Sequence, residues 1–270
     1  PLDPAPASAE ARAPLGARVW EVSFRGMGGK RIHGWYCTPA RPGRYPGILL
    51  LPGYGYPRLL PPVALTAMGY CVLAIDIWGR PVDAPAWEYS YITQGIDSPH
   101  TYVYREIVQD SVRALDLLAT MSEVDAQRLV LTGVSQGAGL ALILAALDGR
   151  VRLVAPDSPM LADFPTSVRH GGWPYQEIAA LIADHPEREG KVWATLSYFD
   201  VVTFAPRVSQ PVLMSVGLQD RICLPATAYA VYNQLAGPKE MQVYPEAGHE
   251  GGAGAQWTSK LDWLRAQLRD

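Results

Sequence analysis

The chain has 270 residues, of which 49% are hydrophobic, and it carries a formal net charge of -3. That length and apolar content are sufficient for one large hydrophobic core, so we expect a single main domain. Lysines and arginines are scattered along the chain rather than gathered into a run. These features disfavour nucleic acid as a partner.

The three cysteines, Cys37, Cys71 and Cys223, lie in apolar stretches and have no CxxC spacing. We therefore expect buried free thiols, and neither a disulfide framework nor a metal site. No apolar run approaches the ~18 residues of a membrane span, and the first residues lack the charged-then-apolar order of a signal peptide. A cytoplasmic protein without a membrane partner is expected. Because the sequence begins at Pro1 and not at methionine, secretion after removal of a leader stays open.

The first part of the chain differs from the rest. Residues 1–17 are rich in proline and alanine, carry no hydrophobic period and are interpreted as an extended arm. Residues 19–24 and 31–38 flank a glycine-rich turn. They are predicted to form an antiparallel pair of strands at a sheet edge.

From residue 48 onward, short apolar runs alternate with stretches whose apolar residues repeat at helical spacing. Continuous apolar runs indicate strands covered on both faces, so the alternation predicts a mostly parallel central sheet with helices on both faces. Residues 159–205 interrupt this alternation and are interpreted as a small cap-like insertion within one domain, 18–270. The predicted strands are 48–51, 71–75, 129–131, 151–155, 212–216 and 241–244, and the predicted helices are 63–68, a long one from 102, 138–147, 226–235 and 256–268.

The strongest local motif is GVSQG at residues 133–137, which follows the predicted strand 129–131 and precedes the predicted helix 138–147. In a nucleophile elbow, the serine lies in a strained turn between a strand and a helix. The flanking positions are glycine because a side chain there would collide with neighbouring backbone. The motif in this context predicts an α/β-hydrolase fold with Ser135 as the nucleophile. A turn of small residues that only lets the helix pack close to the sheet is the alternative.

A serine hydroxyl needs a base, and in this fold the partners follow in the chain order Ser, Asp, His. His249 lies in a glycine-rich loop after strand 241–244, and Asp220 follows strand 212–216. We predict that His249 is the general base and that Asp220 orients its imidazole. Asp76, also at a strand end, is the rival acid. The other histidines are expected to be exposed or hydrogen-bonded structural residues, and they are His33, His100, His170 and His185.

Acyl transfer also needs hydrogen-bond donors where the carbonyl oxygen becomes negative. The backbone N–H of Gln136 is one candidate, because this residue opens the helix after the serine. The other is the backbone N–H of Tyr54, in the loop PGYGY at residues 52–56. A plain glycine-rich turn is the alternative for this loop.

With these residues placed, the chain resembles the acetyl xylan esterase and cephalosporin-C deacetylase family of carbohydrate esterases, from about residue 19 to the end. The likeness is most specific in four stretches, which are LSYFD at 196–200, GLQDRIC at 217–223, AGPKE at 236–240 and HEGG at 249–252. The elbow is also similar, since a glutamine follows the serine in that family.

The resemblance implies the same triad and the same two oxyanion amides that the residues themselves predict. It places Pro174 beside the acyl pocket, and we expect Tyr54, Ile222 and Met160 to contact the substrate as well. Family members remove acetyl groups from sugars and related small esters without a cofactor, often as hexamers. The expected substrates are therefore acetylated xylan or xylo-oligosaccharides and small acetyl esters such as cephalosporin C, and no cofactor is expected.

Two departures limit what is carried over from the family. Where the family has Arg-Gly-Gln after the strand 71–75, this chain has Trp78-Gly79-Arg80, so whatever that motif holds in place is held differently here. The following segment, 81–94, is shorter than the family's loop, which contributes to subunit contacts and narrows access to the site. A homo-oligomer is an expectation, and the hexamer and a strict preference for acetyl stay open.

Three functions are compatible with these patterns. The first is a serine deacetylase of carbohydrate esters that acts through an acyl-enzyme. The second is a broad carboxylesterase that accepts longer acyl chains, or a peptidase on the same fold, and the third is a binding protein without catalysis. The third is disfavoured because serine, base, acid and both oxyanion positions are present. The deacetylase and the broad carboxylesterase differ in the width of the pocket, which depends on side-chain packing.

Overall fold

The computed structural model of the chain describes residues 11–13, 16–55, 60–77 and 90–268. Most of the predicted arm, the departure at residues 78–80 and residues 81–89 of the shortened segment lie outside the described residues. None of the helices in the described ranges combines the length and the apolar character needed to cross a bilayer.

The strands are β1 (Ala11–Ala13), β2 (Ala17–Arg25), β3 (Arg31–Pro39), β4 (Tyr45–Leu51), β5 (Cys71–Ile75), β6 (Val124–Val134), β7 (Val151–Asp157), β8 (Val212–Gly217) and β9 (Lys239–Tyr244). Within the described ranges they form one sheet in the spatial order β1-β2-β3-β5-β4-β6-β7-β8-β9. The pairs β1–β2, β2–β3 and β3–β5 are antiparallel, and all other neighbours are parallel. The prediction of a mostly parallel sheet with an antiparallel edge is confirmed.

Every strand predicted from an apolar run is present, and two strands differ from the sequence pattern for local reasons. β6 begins at Val124, upstream of residue 129, because Val124 and Asp125 pair with β4 before a shift of register. Polar residues interrupt the apolar pattern in that part of β6, so the sequence predicts only the later part of the strand. The sequence pattern gives no sign of β1, a three-residue strand in the predicted arm that pairs with the start of β2.

The helices are α1 (Val63–Ala67), α2 (Val103–Thr120), α3 (Gln136–Leu147), α4 (Phe164–His170), α5 (Tyr175–Asp184), α6 (Glu189–Ser197), α7 (Val201–Phe204), α8 (Pro225–Gln234) and α9 (Ala253–Gln267). α2, α3 and α8 contribute to the larger hydrophobic cluster, and α1 and α9 contribute to a second one. Adjacent strand residues such as Ile48 and Leu49 belong to different clusters because successive side chains point to opposite faces of a sheet. Helices therefore cover both faces, and the architecture is the predicted α/β-hydrolase fold.

The predicted insertion, residues 159–205, contains α4 to α7 and packs against the larger cluster through buried residues such as Phe164 and Tyr175. The buried Asp200 carboxylate accepts hydrogen bonds from the backbone N–H groups of Asp163, Phe164 and Val202. Burial raises the pKa of this carboxyl, while the backbone donors lower it. One side chain thus fixes the start of both α4 and α7.

The carboxyl ends of the parallel strands lie side by side, and the predicted site residues follow these ends. Tyr54 comes after β4, Ser135 after β6, Asp220 after β8 and His249 after β9. Ligands of open α/β sheets bind at the carboxyl ends of the strands. The topology therefore gathers residues that are far apart in the sequence.

Candidate active site

Ser135 lies in a strained turn between β6 and α3. Its backbone has φ 58 and ψ -119, a conformation that side-chain-bearing residues adopt rarely and mostly where function requires it. A Cβ atom at Gly133 or Gly137 would lie 2.6 or 2.1 Å from the carbonyl oxygen of Leu51. Both flanking positions must therefore be glycine for the elbow to sit against β4.

His249 is joined to Asp220 by a hydrogen bond of 2.8 Å between Nδ1 and Oδ2. Asp220 is only 3% exposed, and its other carboxylate oxygen accepts the backbone N–H groups of Ile222 at 2.8 Å and Cys223 at 3.0 Å. The carboxylate is thus held from two sides. Because the bond to Asp220 occupies Nδ1, the imidazole is left with Nε2 for proton exchange. The carboxylate bonded to His249 Nδ1 is thus that of Asp220 and not that of the rival Asp76.

The Ser135 hydroxyl lies 3.9 Å from Cys223 Sγ. Cys223 also lies close to Asp220 and His249, with one ligand atom from each of these three residues within 4.8 Å of the others. Burial, and then the charge of Asp220, raise the pKa of the Cys223 thiol. A thiol that keeps its proton is a poor metal ligand, so the cluster is better explained as the surroundings of the His249–Asp220 pair.

A cavity of about 460 Å³ opens beside these residues. Its lining contains Tyr54, Val134, Ser135, Trp173, Pro174, Ile222, His249 and Glu250. Of the residues expected to contact the substrate, three line this cavity. Met160 does not: it is completely buried, and its backbone N–H donates to the Ser135 carbonyl oxygen at 3.0 Å. Its carbonyl oxygen faces Gly139 of α3, so Met160 packs against the elbow and does not line the cavity.

A family model for acetyl xylan esterases (AXE1) matches residues 7–267. The chain belongs to the acetyl xylan esterase family. Acetyl esterase Axe7A of Xylanibacter ruminicola is 30% identical over an alignment of 255 residues, and the match covers 88% of this chain and 56% of that protein. The chain thus spans about half the length of the curated relatives it matches.

Solved structures of acetyl xylan esterases agree with this assignment. The acetyl xylan esterase from Paenibacillus sp. R4 has a TM-score of 0.92 and 36% identity, with 99% of this chain and 90% of that one covered. Acetyl xylan esterase 1 from Thermoanaerobacterium sp. JW/SL YS485 has a TM-score of 0.90 and 29% identity, with 100% and 89% covered. The chain is therefore similar to these family members over almost its whole length.

In this member of the acetyl xylan esterase family, the two predicted oxyanion donors follow the carboxyl ends of β4 and β6. Gln136 is the first residue of α3, and the first N–H groups of a helix have no acceptor within it. Tyr54 follows β4 and lines the cavity. The two predicted donors thus follow different strands, with Gln136 directly after Ser135 and Tyr54 on the lining of the same cavity.

No role for the Gln136 side chain was predicted from the sequence, and the structure shows one. Gln136 Oε1 accepts hydrogen bonds from the hydroxyl groups of Tyr91 at 2.8 Å and Tyr104 at 2.7 Å. Tyr54 Oη in turn accepts the backbone N–H groups of Tyr91 and Ile92. These bonds connect the helix after Ser135 to the loop that contains Tyr54. The abundance of tyrosine between residues 91 and 104 is the signal that could have indicated the network.

A buried ion pair lies behind the elbow and was also absent from the sequence prediction. Lys260 Nζ bonds to the Asp157 carboxylate, whose other oxygen accepts Ser215 Oγ at 3.0 Å and Gln256 Nε2 at 2.7 Å. The Asp157 carbonyl oxygen accepts the Ser135 N–H at 2.9 Å. The pair therefore connects α9 to the strand that supports the nucleophile.

The remaining histidines and cysteines behave as predicted. The three cysteines are buried and free. All four other histidines are exposed on the surface, and they are His33, His100, His170 and His185. His33 lies on β3, where its carbonyl oxygen accepts the Asp76 N–H at 2.8 Å.

Proposed function

We propose that this chain is a serine esterase that removes acetyl groups from acetylated xylan or xylo-oligosaccharides. Family membership supports the acetyl ester as substrate. The observation that carries the mechanism is the meeting of the elbow serine and the Asp220-bonded His249 in one cavity. Small acetyl esters such as cephalosporin C are included in the proposal, and no metal or cofactor takes part in it.

In the proposed reaction, His249 Nε2 takes the proton from Ser135 Oγ while Oγ forms a bond to the acetyl carbonyl carbon. The backbone N–H groups of Tyr54 and Gln136 bind the oxygen that becomes negative. Collapse of this intermediate breaks the bond to the sugar oxygen, which receives the proton from His249. Water, deprotonated by His249, then attacks the acetyl carbon of the acetyl-enzyme. The bond to Ser135 Oγ breaks, Oγ receives the proton from His249, and acetate is released.

The alternative is a carboxylesterase of broad specificity on the same residues. The cavity volume of about 460 Å³ exceeds what an acetyl group alone would fill, so the volume by itself is compatible with longer acyl chains. The burial of Pro174 on the inner side favours a narrow acyl pocket, with the remaining space available to the alcohol.

Ser135→Ala should lower kcat/KM on an acetyl ester by at least about a thousandfold, since the nucleophile is lost. The assay is acetate release from acetylated xylobiose, with circular dichroism to establish that the variant is folded. Intact mass after brief exposure to the ester should show an acetyl group on the wild type and none on the variant.

Ser111→Ala is the matched control, because Ser111 is a buried serine of α2 that donates to the Ile107 carbonyl oxygen, away from the cavity. We expect it to retain activity. Near wild-type turnover by the Ser135 variant would exclude the proposed mechanism.

A further inference from the structure

Two large apolar side chains are exposed at the cavity that contains Ser135. Trp173 is 40% exposed and Val134 is 43% exposed, and both belong to the lining. The carboxylate of Glu250 is the third exposed group of this lining. We call these three residues the cavity mouth. Ser135 and Pro174 are buried, so the reacting bond lies further inside than the mouth.

The indole of Trp173 is held in one orientation. Its Nε1 donates to Glu177 Oε1 at 2.6 Å, and the other oxygen of that carboxylate is bonded to Ser90 Oγ. The ring packs against Tyr54 with centroids 5.2 Å apart and planes at 72°, an edge-to-face contact. An aromatic side chain that is fixed and yet exposed offers a binding partner a flat apolar surface at little cost in side-chain entropy.

Glu250 supplies a complementary polar group. Its Oε1 accepts the Gly248 N–H at 2.9 Å. Backbone hydrogen bonds lower the pKa of its carboxyl, so the side chain is ionised at neutral pH. An ionised carboxylate has room for about four hydrogen bonds on its two oxygens and accepts hydroxyl protons readily.

From this arrangement we infer that the mouth binds the sugar ring of the alcohol that leaves the acetyl group, and that Trp173 is its stacking surface. A pyranose ring has faces of C–H groups and edges of hydroxyl groups. The C–H face matches the indole, and the hydroxyl edge matches the Glu250 carboxylate. An apolar alcohol would use the indole alone. This inference depends on the proposed function, because it specifies the alcohol portion of the same substrate.

Direct binding tests the inference without relying on turnover. Calorimetric titration of xylobiose, which lacks acetyl groups, gives a dissociation constant for the mouth. Trp173→Ala should raise it about threefold to tenfold, and Trp173→Phe should recover most of that loss because a ring is restored without the bond to Glu177. Glu250→Gln should raise the dissociation constant about threefold, since a neutral amide is the weaker acceptor. Trp257→Ala is the matched control, as Trp257 is 38% exposed and lies on α9 outside the cavity lining.

Kinetics give a second readout. The ratio of kcat/KM on acetylated xylobiose to kcat/KM on ethyl acetate should fall in Trp173→Ala by the same threefold to tenfold, because ethanol has no ring to stack. The change should appear in KM more than in kcat.

The outcomes separate this inference from the proposed function. If the wild type hydrolyses acetylated xylobiose but the Trp173 variants change neither the dissociation constant nor the ratio, the inference is overturned and the esterase assignment stands. Equal losses on both esters in Trp173→Ala, without recovery in Trp173→Phe, would also overturn it, because they would indicate a purely structural role. A wild type that binds xylobiose through Trp173 but cleaves no acetyl ester would overturn the proposed function and leave Trp173 as a sugar-stacking surface only. Absence of xylobiose binding to the wild type overturns the inference.

Discussion

At position 137 only glycine fits, because the elbow brings this residue against the end of β4. A Cβ atom there would lie 2.1 Å from the Leu51 carbonyl oxygen, much closer than any real contact. Flexible side chains can move aside, but this oxygen belongs to the backbone of a central strand. The requirement for glycine is therefore set by fixed backbone atoms at the end of β4 and not by a need for a flexible chain at position 137.

We predict that Gly137→Ala destabilises the fold by more than about 2 kcal/mol, since either β4 or α3 must shift to admit the methyl group. Hydrolysis of acetyl esters should be lost as the elbow moves. Gly254→Ala is the control, because nothing lies within 4 Å of its Cβ position on α9 and alanine is the better helix former. Thermal unfolding of both variants checks the contrast, and equal stability of the two would contradict it.

Some residues of the predicted site can be recognised from the sequence around them, and others cannot. Ser135, His249 and Asp220 could be chosen from motif and chain order, because the fold places each of them directly after a strand. Met160 was chosen as a substrate contact, and it lies instead behind the elbow, where its backbone bonds to Ser135. Which way a side chain points after a strand depends on neighbours far away in the sequence.

Among the elements, α9 is attached to the sheet by more than apolar contacts. Lys260 is 3% exposed and pairs with Asp157, which also accepts Gln256 from the same helix. Two charges buried together stabilise each other, but either one alone would be left without compensation. Because α9 begins shortly after the loop of His249, this attachment also limits how far that loop can move.

We predict that Lys260→Met lowers the free energy of unfolding by about 3–5 kcal/mol, as the Asp157 carboxylate stays buried without its partner. Lys30→Met is the matched control. Lys30 forms an exposed ion pair with Glu106 at 2.8 Å, and its loss should cost no more than about 1 kcal/mol. Urea denaturation measures both, and similar costs for the two variants would refute the distinction.

For the whole molecule, the open question is how the cavity is divided between the acyl group and the alcohol. Of the lining residues, Pro174 is buried, and Trp173 at the mouth is exposed. In the proposed division, a short acyl group inside and a sugar at the mouth share a cavity of about 460 Å³. The segment 81–94, which was expected to influence access and assembly, is described only from residue 90 onward, where Tyr91 and Ile92 donate to Tyr54.

We predict that kcat/KM on p-nitrophenyl esters falls by about tenfold or more between propionyl and butyryl, because added methylenes meet the buried wall of the acyl pocket. The measurement covers chains from acetyl to octanoyl, with Ser135→Ala as the blank. A flat profile that reaches octanoyl would favour the broad carboxylesterase.

The sequence by itself determined the order of strands and helices, the elbow at Ser135 and its partners in the chain order of the fold. These features depend on hydrophobic period, glycine spacing and position after a strand, all of which can be recognised in short stretches of sequence. Only the tertiary structure decided that Lys260 pairs with Asp157, that Gln136 joins two tyrosines, that Met160 supports the elbow and that Trp173 stands at the cavity mouth. Such contacts join residues that are distant in sequence, and their geometry depends on how whole elements pack.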